Sequence, residues 1–189
     1  MPAPNAPIAS LSRIRLLALD VDGVLTDGGV YFDSAGNETK RFHIHDGLGI
    51  VVARLAGLKI AWITGRNSPI VERRATELGV DMLRQGVRDK TIALNYLAER
   101  WSFGLNEIAY MGDDLNDLPA LRIAGVAIAP ANAASPEVRD AAAWITPRSG
   151  GAGAVRDAIE AILRARGDWD SALAAYLASL DPVAKNPLQ

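Results

Sequence analysis

The residues Leu16-Leu-Ala-Leu-Asp20-Val-Asp22-Gly23 are the most informative part of the sequence about the fold, and they contain the first candidate site. Four apolar residues in succession, without alternation, are typical of a strand that is buried on both faces. Two carboxylates at positions i and i+2 follow directly. In an open α/β sheet, ligands bind beyond the carboxyl ends of the strands. Because two acids placed there repel each other, we expect a bound cation, and such oxygen ligands suit Mg²⁺.

Two other interpretations of the Asp20-x-Asp22-Gly23 motif are a Ca²⁺-binding loop and an ordinary acidic turn. The Ca²⁺ loop fails by register when Asp20 is taken as position 1. Positions 5, 6 and 12 are then Val24, Leu25 and Tyr31, where an EF-hand needs an oxygen ligand, glycine and glutamate. The acidic turn stays open on this motif alone.

Similar apolar runs recur along the chain and alternate with segments of helical periodicity. The further candidate strands are Lys59–Ile63, Glu107–Met111, Val126–Ile128 and, more weakly, Ala143–Ile145. The helical patterns lie at Gly47–Ala56, Pro69–Leu78, Lys90–Arg100, Asp114–Ile123 and Ala154–Ala165. Repeated strand–helix units of this kind predict an α/β fold, with a Rossmann-like, open, mostly parallel sheet and helices on both faces.

One segment breaks this alternation directly after the first strand. Gly29–Asp33 and Glu38–Phe42 flank Ser34-Ala-Gly-Asn37, which predicts an inserted β-hairpin that lies over the strand end as a flap. No segment predicts a cap domain. We predict a flexible N-terminal arm over residues 1–12, one α/β domain over 13–166, and a helical or flexible tail over 167–189.

Composition narrows the function. The chain has 189 residues and a formal net charge of -2, so no strong positive field draws it to nucleic acid. It has no cysteine and two histidines, which excludes disulfides, thiol catalysis and a structural zinc site. No apolar run reaches the roughly 18 residues of a membrane span, and the N-terminus lacks signal-peptide features. We expect a cytoplasmic protein that binds no membrane.

A second and a third strand also end in polar side chains. Asp113 and Asp117 follow the run that ends at Met111, and their spacing of four places them on one face of a helix that starts there. Thr64 and Arg66 follow the strand that ends at Ile63, where the hydroxyl and backbone amides suit a phosphate oxygen. Taken singly, each of these two motifs is also typical of an ordinary helix start, with acidic residues in the first turn or a capping side chain.

Lys90 is a fourth candidate. It begins a predicted helix, where the helix dipole disfavours a cation, so its presence there points to another use. A solvated surface lysine is the alternative.

Together these elements resemble the haloacid dehalogenase superfamily, in its capless branch. The resemblance rests on Asp20-x-Asp22-Gly-x-x-Thr-Asp, Thr64-Gly, Lys90 and Gly112-Asp-Asp-x-x-Asp117, in this order. Further stretches are similar to the 3-deoxy-D-manno-octulosonate 8-phosphate phosphatase family. These stretches are Gly23–Gly28, Phe42–Gly49, Ile63–Arg66, Gln85–Gly86 and Gly150–Arg156.

The resemblance implies a role for each matched residue. Asp20 is the nucleophile that forms an aspartyl-phosphate, and Asp22 is the general acid and base. Mg²⁺ is held by Asp20, Asp113 and the backbone carbonyl of Asp22. Thr64 and Lys90 hold the phosphoryl oxygens. Asp117 supports the metal's waters and the lysine, and Asp114 either joins the metal shell or caps the helix.

The resemblance also implies a substrate site. It places His43, Ile44, His45, Asp46, Gly47, Arg66 and Arg74 near the sugar acid, with Asp22 and Lys90 at the phosphate end. The two arginines suit a carboxylate. His45, Val51 and Ala152 depart from the pattern, because relatives often carry basic residues there. This leaves the phosphate chemistry intact and weakens the assignment of the sugar.

A capless site needs other parts to enclose it. The family closes it in a homotetramer, in which a neighbour's hairpin and tail complete the site, and we expect the same assembly here. The main functional hypothesis is hydrolysis of 3-deoxy-D-manno-octulosonate 8-phosphate in lipopolysaccharide synthesis. The alternatives are a phosphatase for another nonulosonate 9-phosphate, a non-catalytic assembly subunit with this fold, and a sugar phosphotransferase.

Overall fold

A computed structural model describes residues 6–180 and confirms the α/β fold. The strands are β1 (Leu16–Leu19), β2 (Tyr31–Phe32), β3 (Glu38–Thr39), β4 (Lys59–Ile63), β5 (Met82–Arg84), β6 (Ile108–Met111), β7 (Val126–Ala129) and β8 (Trp144–Ile145). The helices are α1 (Ile8–Leu11), α2 (Ile44–Leu55), α3 (Pro69–Leu78), α4 (Lys90–Trp101), α5 (Leu118–Ile123), α6 (Pro136–Ala141), α7 (Ala154–Arg166) and α8 (Trp169–Ser179).

Six strands form one parallel sheet in the order β5-β4-β1-β6-β7-β8. From β1 the chain builds outward to β4 and β5, then crosses back to place β6 on the other side of β1. The strand order therefore reverses beside β1, and a crevice for ligands opens at such a point, beyond the carboxyl ends of the strands.

Both faces of the sheet are buried, as the uniformly apolar strands predicted. Along β1, Leu17 and Leu19 belong to one apolar cluster, which includes α2 and α7. Leu16 and Ala18 belong to a second cluster on the opposite face, which includes α4 and α5. All four side chains are fully buried, because successive side chains of a strand point to opposite faces.

The hairpin is confirmed and is shorter than its sequence pattern. β2 and β3 pair antiparallel as a separate two-stranded sheet, and a bridge between Thr26 and Phe42 closes its base. Pro69 at the first position of α3 and Gly79 as its left-handed C-cap also agree with prediction.

Four details differ from the sequence-based expectation. Ile8–Leu11, assigned to a flexible arm, is a helical turn that packs on α7 with Leu11 buried, because the apolar leucine finds the core. α2 begins three residues earlier than predicted, since His43 caps it. Asp114 caps a 3₁₀ turn, Leu115–Asp117, before α5 begins. β5 and α6 were not predicted.

The predicted tail contains α8, and the stretch from Asp181 to Gln189 lies outside the described residues. Between residues 6 and 180, every helix is too short or too polar to cross a bilayer.

Candidate active site

The polar strand ends meet in one pocket of about 250 Å³ beyond the carboxyl ends of β1, β4 and β6. Its lining consists of Asp20, Asp22, Gly28, Thr64, Gly65, Arg66, Asp113, Asp114 and Asn116. Parallel strands bring their carboxyl ends to one edge of the sheet, so residues 20, 64 and 113 become neighbours although they are far apart in the chain.

Lys90 lies under this pocket and bridges two acids. Its Nζ is 2.9 Å from Asp20 Oδ1 and 2.6 Å from Asp117 Oδ1, and its side chain is 1% exposed. Asp89 caps α4 by accepting a hydrogen bond from the Thr91 amide, so Lys90 is free to turn inward from the first position. Burial by itself lowers the pKa of Lys90, but Asp20 and Asp117 raise it, and the balance lies above its ordinary value. The lysine is therefore a buried cation.

Asp117 is a hydrogen-bonding hub beneath the pocket. Its Oδ1 accepts from Tyr110 Oη at 2.5 Å as well as from Lys90. Its Oδ2 accepts from the backbone amides of Asp113 at 3.0 Å and Asp114 at 3.3 Å. The sequence placed Asp113 and Asp117 on one helical face; they are neighbours instead because the 3₁₀ turn folds Asp117 back under the loop. Both oxygens of Asp117 are thereby engaged by the protein.

Three carboxylates at this point suit a cation. Asp20, Asp113 and Asp117 each offer an oxygen within 4.8 Å of the others. Burial, and then the charge of Asp117, raises the pKa of Asp20 to about 7. Burial, followed by the charges of Asp20 and Asp117, raises the pKa of Asp113 to about 8. The ionised forms are thus disfavoured until positive charge is supplied.

The geometry around Asp113 supports the same conclusion. Asp113 Oδ1 is buried and has no hydrogen-bond partner among residues 6–180. Gly23 adopts φ +94°, and a Cβ there would lie 2.0 Å from Asp113 Oδ2. Glycine at this position lets the Asp113 carboxylate approach the backbone close to Asp20, and the hard oxygen donors of these two carboxylates fit Mg²⁺. Asp20 and Asp113 are the side chains best placed to ligate it, because Asp117 is already saturated.

Thr64 stands at the pocket rim of β4. Its side chain is buried, and its Oγ1 accepts a hydrogen bond from the Arg66 amide at 3.2 Å. Thr64 also lines the pocket. Its contact to a phosphoryl oxygen stays a prediction.

The hairpin supplies two site residues that sequence reasoning missed. Lys40 Nζ donates to Asp22 Oδ1, and Glu38 pairs with Arg66. A usable signal was present: Glu38 and Lys40 are two apart in a strand, so both charges face the same side. Tyr110 was also missed, because its hydroxyl is concealed in an apolar run.

The other predicted substrate residues lie outside the pocket lining. His43 Nδ1 accepts from the His45 amide at 3.3 Å, and the two imidazole rings contact edge to face. Ile44 is exposed. Asp46 is buried, and its carboxylate accepts from the amides of Gly153 at 3.2 Å and Arg156 at 2.8 Å.

These contacts give Asp46 a structural role, because they tie the start of α2 to the start of α7. Arg74 forms an ion pair with Glu77 at 2.9 Å and packs against Gly47. Of the predicted sugar-binding set, the structure brings Arg66 to the pocket beside Asp22. Substrate contacts by the other members stay predictions.

Comparison with known proteins places this geometry in a family. Residues 74–159 match the model of the haloacid dehalogenase-like hydrolases. The chain is 42% identical to the 3-deoxy-D-manno-octulosonate 8-phosphate phosphatase KdsC of Escherichia coli K12 over 165 residues, 87% of each chain.

Two solved structures are similar along most of the chain. One is the 3-deoxy-D-manno-octulosonate 8-phosphate phosphatase from Moraxella catarrhalis, in complex with magnesium, phosphate and KDO. It is 42% identical with a TM-score of 0.86, and the match covers 89% of this chain and 97% of that one. The other is the cobalt-bound enzyme from Haemophilus influenzae, 38% identical with a TM-score of 0.81, covering 85% and 93%. This chain belongs to the 3-deoxy-D-manno-octulosonate 8-phosphate phosphatase family of haloacid dehalogenase-like hydrolases.

Proposed function

We propose that this protein is a Mg²⁺-dependent phosphatase that hydrolyses 3-deoxy-D-manno-octulosonate 8-phosphate to the sugar acid and inorganic phosphate. The observation that carries the proposal is the placement of Asp20. Its carboxylate lies at the end of β1, 2.9 Å from the buried Lys90 ammonium and within 4.8 Å of Asp113. The family relatives bear the name of this activity, and the reaction contributes to lipopolysaccharide synthesis.

The reaction proceeds in two steps on this chain's own side chains. Asp20 attacks the phosphorus as the ester P–O bond breaks. The electron pair of that bond leaves with the sugar oxygen, which takes a proton from Asp22. A water molecule then attacks the aspartyl-phosphate and gives its proton to Asp22. The bond between phosphorus and Asp20 breaks, which releases phosphate and restores both carboxyl groups.

The surrounding residues stabilise charge during both steps. Thr64 and Lys90 hold the phosphoryl oxygens, and Lys90 also fixes Asp20 through its ion pair. Asp20, Asp113 and the backbone oxygen of Asp22 would hold Mg²⁺, which would supply positive charge to stabilise the phosphoryl group. Asp117 keeps Lys90 and the loop of Asp113 in place through the hydrogen bonds described above.

Arg66, at the rim of the pocket, supports the octulosonate as the substrate. Arg66 borders the pocket, and its guanidinium suits the carboxylate of a sugar acid. Phosphatases for nonulosonate 9-phosphates tend to carry an acidic residue at this position, so Arg66 favours the octulosonate. His45, Val51 and Ala152 replace basic residues of relatives, which keeps the nonulosonate as the second candidate.

A phosphate-release assay tests the proposal. We expect turnover of 3-deoxy-D-manno-octulosonate 8-phosphate with Mg²⁺, loss of turnover with a chelator, and a lower kcat/KM for a nonulosonate 9-phosphate. Asp20→Asn abolishes turnover and leaves the melting temperature within a few degrees, whereas Asp140→Asn, an exposed carboxylate on α6, changes neither. Activity that survives in Asp20→Asn overturns the mechanism. A preference for the nonulosonate overturns the substrate, and sugar phosphorylation without phosphate release indicates a phosphotransferase.

The proposal includes a homotetramer in the cytoplasm. The first arm of the hairpin exposes three apolar side chains in succession, Val30, Tyr31 and Phe32, the last of them 64% exposed. Burial of such a surface against another copy lowers its free energy and carries the flap toward a neighbouring site. Sedimentation equilibrium of the wild type and of Phe32→Ser tests the assembly: the substitution shifts the population toward smaller species.

A further inference from the structure

The hairpin carries a buried charge network whose position the proposed mechanism does not explain. The Lys40 side chain is 1% exposed, although most of the hairpin around it is exposed. Its Nζ contacts Asp22 Oδ1 and lies 3.5 Å from Glu38 Oε1. Glu38 in turn pairs with Arg66 and accepts a hydrogen bond from Ser68 Oγ at 3.2 Å. The network links the flap to residues that follow β1 and β4.

Burial of Lys40 is a cost that folding must offset. A charged group taken out of water is stable when it is paired and hydrogen-bonded, and this lysine has two carboxylates as partners. The hairpin strands have two residues each, too few to hold their position by backbone pairing alone. The ion pairs of Lys40 and Glu38 are therefore what seats the flap against the pocket.

The contact with Asp22 is the informative one. Asp22 is partly exposed, with a side-chain exposure of 25%, and it follows β1 in a turn. An exposed carboxylate rotates among several orientations, whereas proton transfer needs it within hydrogen-bond reach of the leaving oxygen. The contact with Lys40 engages Oδ1 and restricts that rotation. Oδ2 takes no part in this contact.

We propose that Lys40 is a positioning residue for Asp22, and that Glu38, in β3, holds Lys40 in place through their ion pair. The proposal rests on the proposed function, because Asp22 acts there as the proton donor to the leaving oxygen and the acceptor from water. Lys40 itself neither forms nor breaks a bond in the reaction. It fixes the orientation of the carboxyl group that does.

This role predicts a dependence on the leaving group. An alkyl phosphate, such as the sugar phosphate, loses a strongly basic oxygen that needs the proton of Asp22 as it departs. 4-Nitrophenyl phosphate loses a weakly basic phenolate that departs without one. A displacement of about 1 Å in a reacting group costs on the order of 100-fold in rate. We therefore expect Lys40→Met to lower kcat about 100-fold for the alkyl phosphate and less than about 3-fold for 4-nitrophenyl phosphate.

Two variants serve as controls. Lys40→Arg keeps a cation that can contact Asp22, so it recovers most of the alkyl phosphate activity. Arg41→Met removes the neighbouring, exposed hairpin cation, which pairs with Asp27 at 3.6 Å, and leaves both substrates unchanged. Glu38→Gln lowers kcat for the alkyl phosphate in the same direction as Lys40→Met and by less. The melting temperature of each variant shows whether a loss of activity comes from unfolding or from a misplaced Asp22 in a folded protein.

A second measurement does not depend on turnover. Hydrogen exchange of the amides between residues 31 and 42 becomes faster in Lys40→Met and in Glu38→Gln and is unchanged in Arg41→Met. Equal loss of kcat on both substrates, or a rise of KM alone, makes Lys40 a structural or phosphate-binding residue and overturns the proposal. Failure of the proposed function is distinct: the wild type then releases no phosphate from the octulosonate 8-phosphate, and the leaving-group comparison still runs on another alkyl phosphate.

Discussion

Replacement of Asp117 by asparagine tests whether the hub beneath the pocket organises the site. The carboxylate is fully buried and accepts four hydrogen bonds, from Lys90, Tyr110 and the amides of Asp113 and Asp114. Asparagine has the same shape, but its NH₂ group faces two of these donors in either orientation. Two donors then lose their acceptor, and Lys90 loses one of its two anionic partners.

The magnitude follows from the burial of these groups. Removal of one partner from a buried ion pair costs about 3–5 kcal/mol. Relief of repulsion with Asp20 and Asp113 offsets part of this, because Asp117 raises the pKa of both. We expect Asp117→Asn to lower the free energy of unfolding of the Mg²⁺-free protein by about 2–4 kcal/mol. Tyr110→Phe removes one of the four donors and costs about 1 kcal/mol.

Urea denaturation at pH 7 with a chelator measures the effect. The midpoint moves to lower urea while the slope stays the same, which identifies a change in stability instead of a change in compactness. Asp140→Asn removes an exposed carboxylate and stays within about 0.5 kcal/mol of the wild type. A loss below about 0.5 kcal/mol in Asp117→Asn would show that the four hydrogen bonds do not hold the loop, and the hub interpretation fails.

Two further predictions concern the metal. Gly23→Ala places a Cβ against Asp113 in a backbone conformation that disfavours alanine, so Mg²⁺ binding measured by calorimetry weakens strongly, whereas Gly36→Ala, which meets open space at a similar φ, leaves it unchanged. The pKa values of Asp20 (about 7) and Asp113 (about 8) lie above their ordinary value of 3.8. Between these values the folded chain holds protons that the unfolded chain has released. The free energy of unfolding of the Mg²⁺-free protein therefore falls as the pH rises from about 4 to about 8. Urea titrations at pH 5.5 and pH 8 measure this fall in the free energy of unfolding. Asp113→Asn reduces the difference between the two pH values, and added Mg²⁺ stabilises the protein more at pH 8. Equal stability at both pH values would contradict the raised pKa values of Asp20 and Asp113.

The fold was predictable because its central strands are uninterrupted apolar runs in the sequence. Leu16–Leu19 and Lys59–Ile63 are apolar throughout and match the observed strands residue for residue. β5 was missed because three partly buried residues, Met82–Arg84, carry too short a pattern at the edge of the sheet. α6 was missed because six residues span less than two helical turns. Whether an element could be predicted therefore depended more on its length than on how apolar its residues are.

The site was predictable where chemistry follows directly on a strand. Asp20, Thr64 and Asp113 stand at strand ends, so the parallel topology alone brings them together. Lys90 was found from its unfavourable position in the helix dipole. Lys40 was missed because it enters the site from the inserted hairpin, whereas Asp20, Thr64 and Asp113 follow strands of the main sheet.

The site has two charged parts that differ in net charge. Beneath the pocket, the carboxylates of Asp20, Asp113 and Asp117 face one ammonium group, that of Lys90, which leaves two negative charges when all are ionised. Without a metal, the raised pKa values of Asp20 and Asp113 show that protonation relieves this excess. A divalent cation matches the excess and releases those protons as it binds.

The flap balances its own charge. Asp22 and Glu38 pair with Lys40 and Arg66, so this network needs no ion. The metal therefore belongs to the inner cluster, where it serves phosphoryl transfer. The flap pairs close without a metal ion. In the proposed mechanism, phosphate chemistry therefore depends on the residues at the strand ends, and the hairpin, held by ion pairs, positions Asp22.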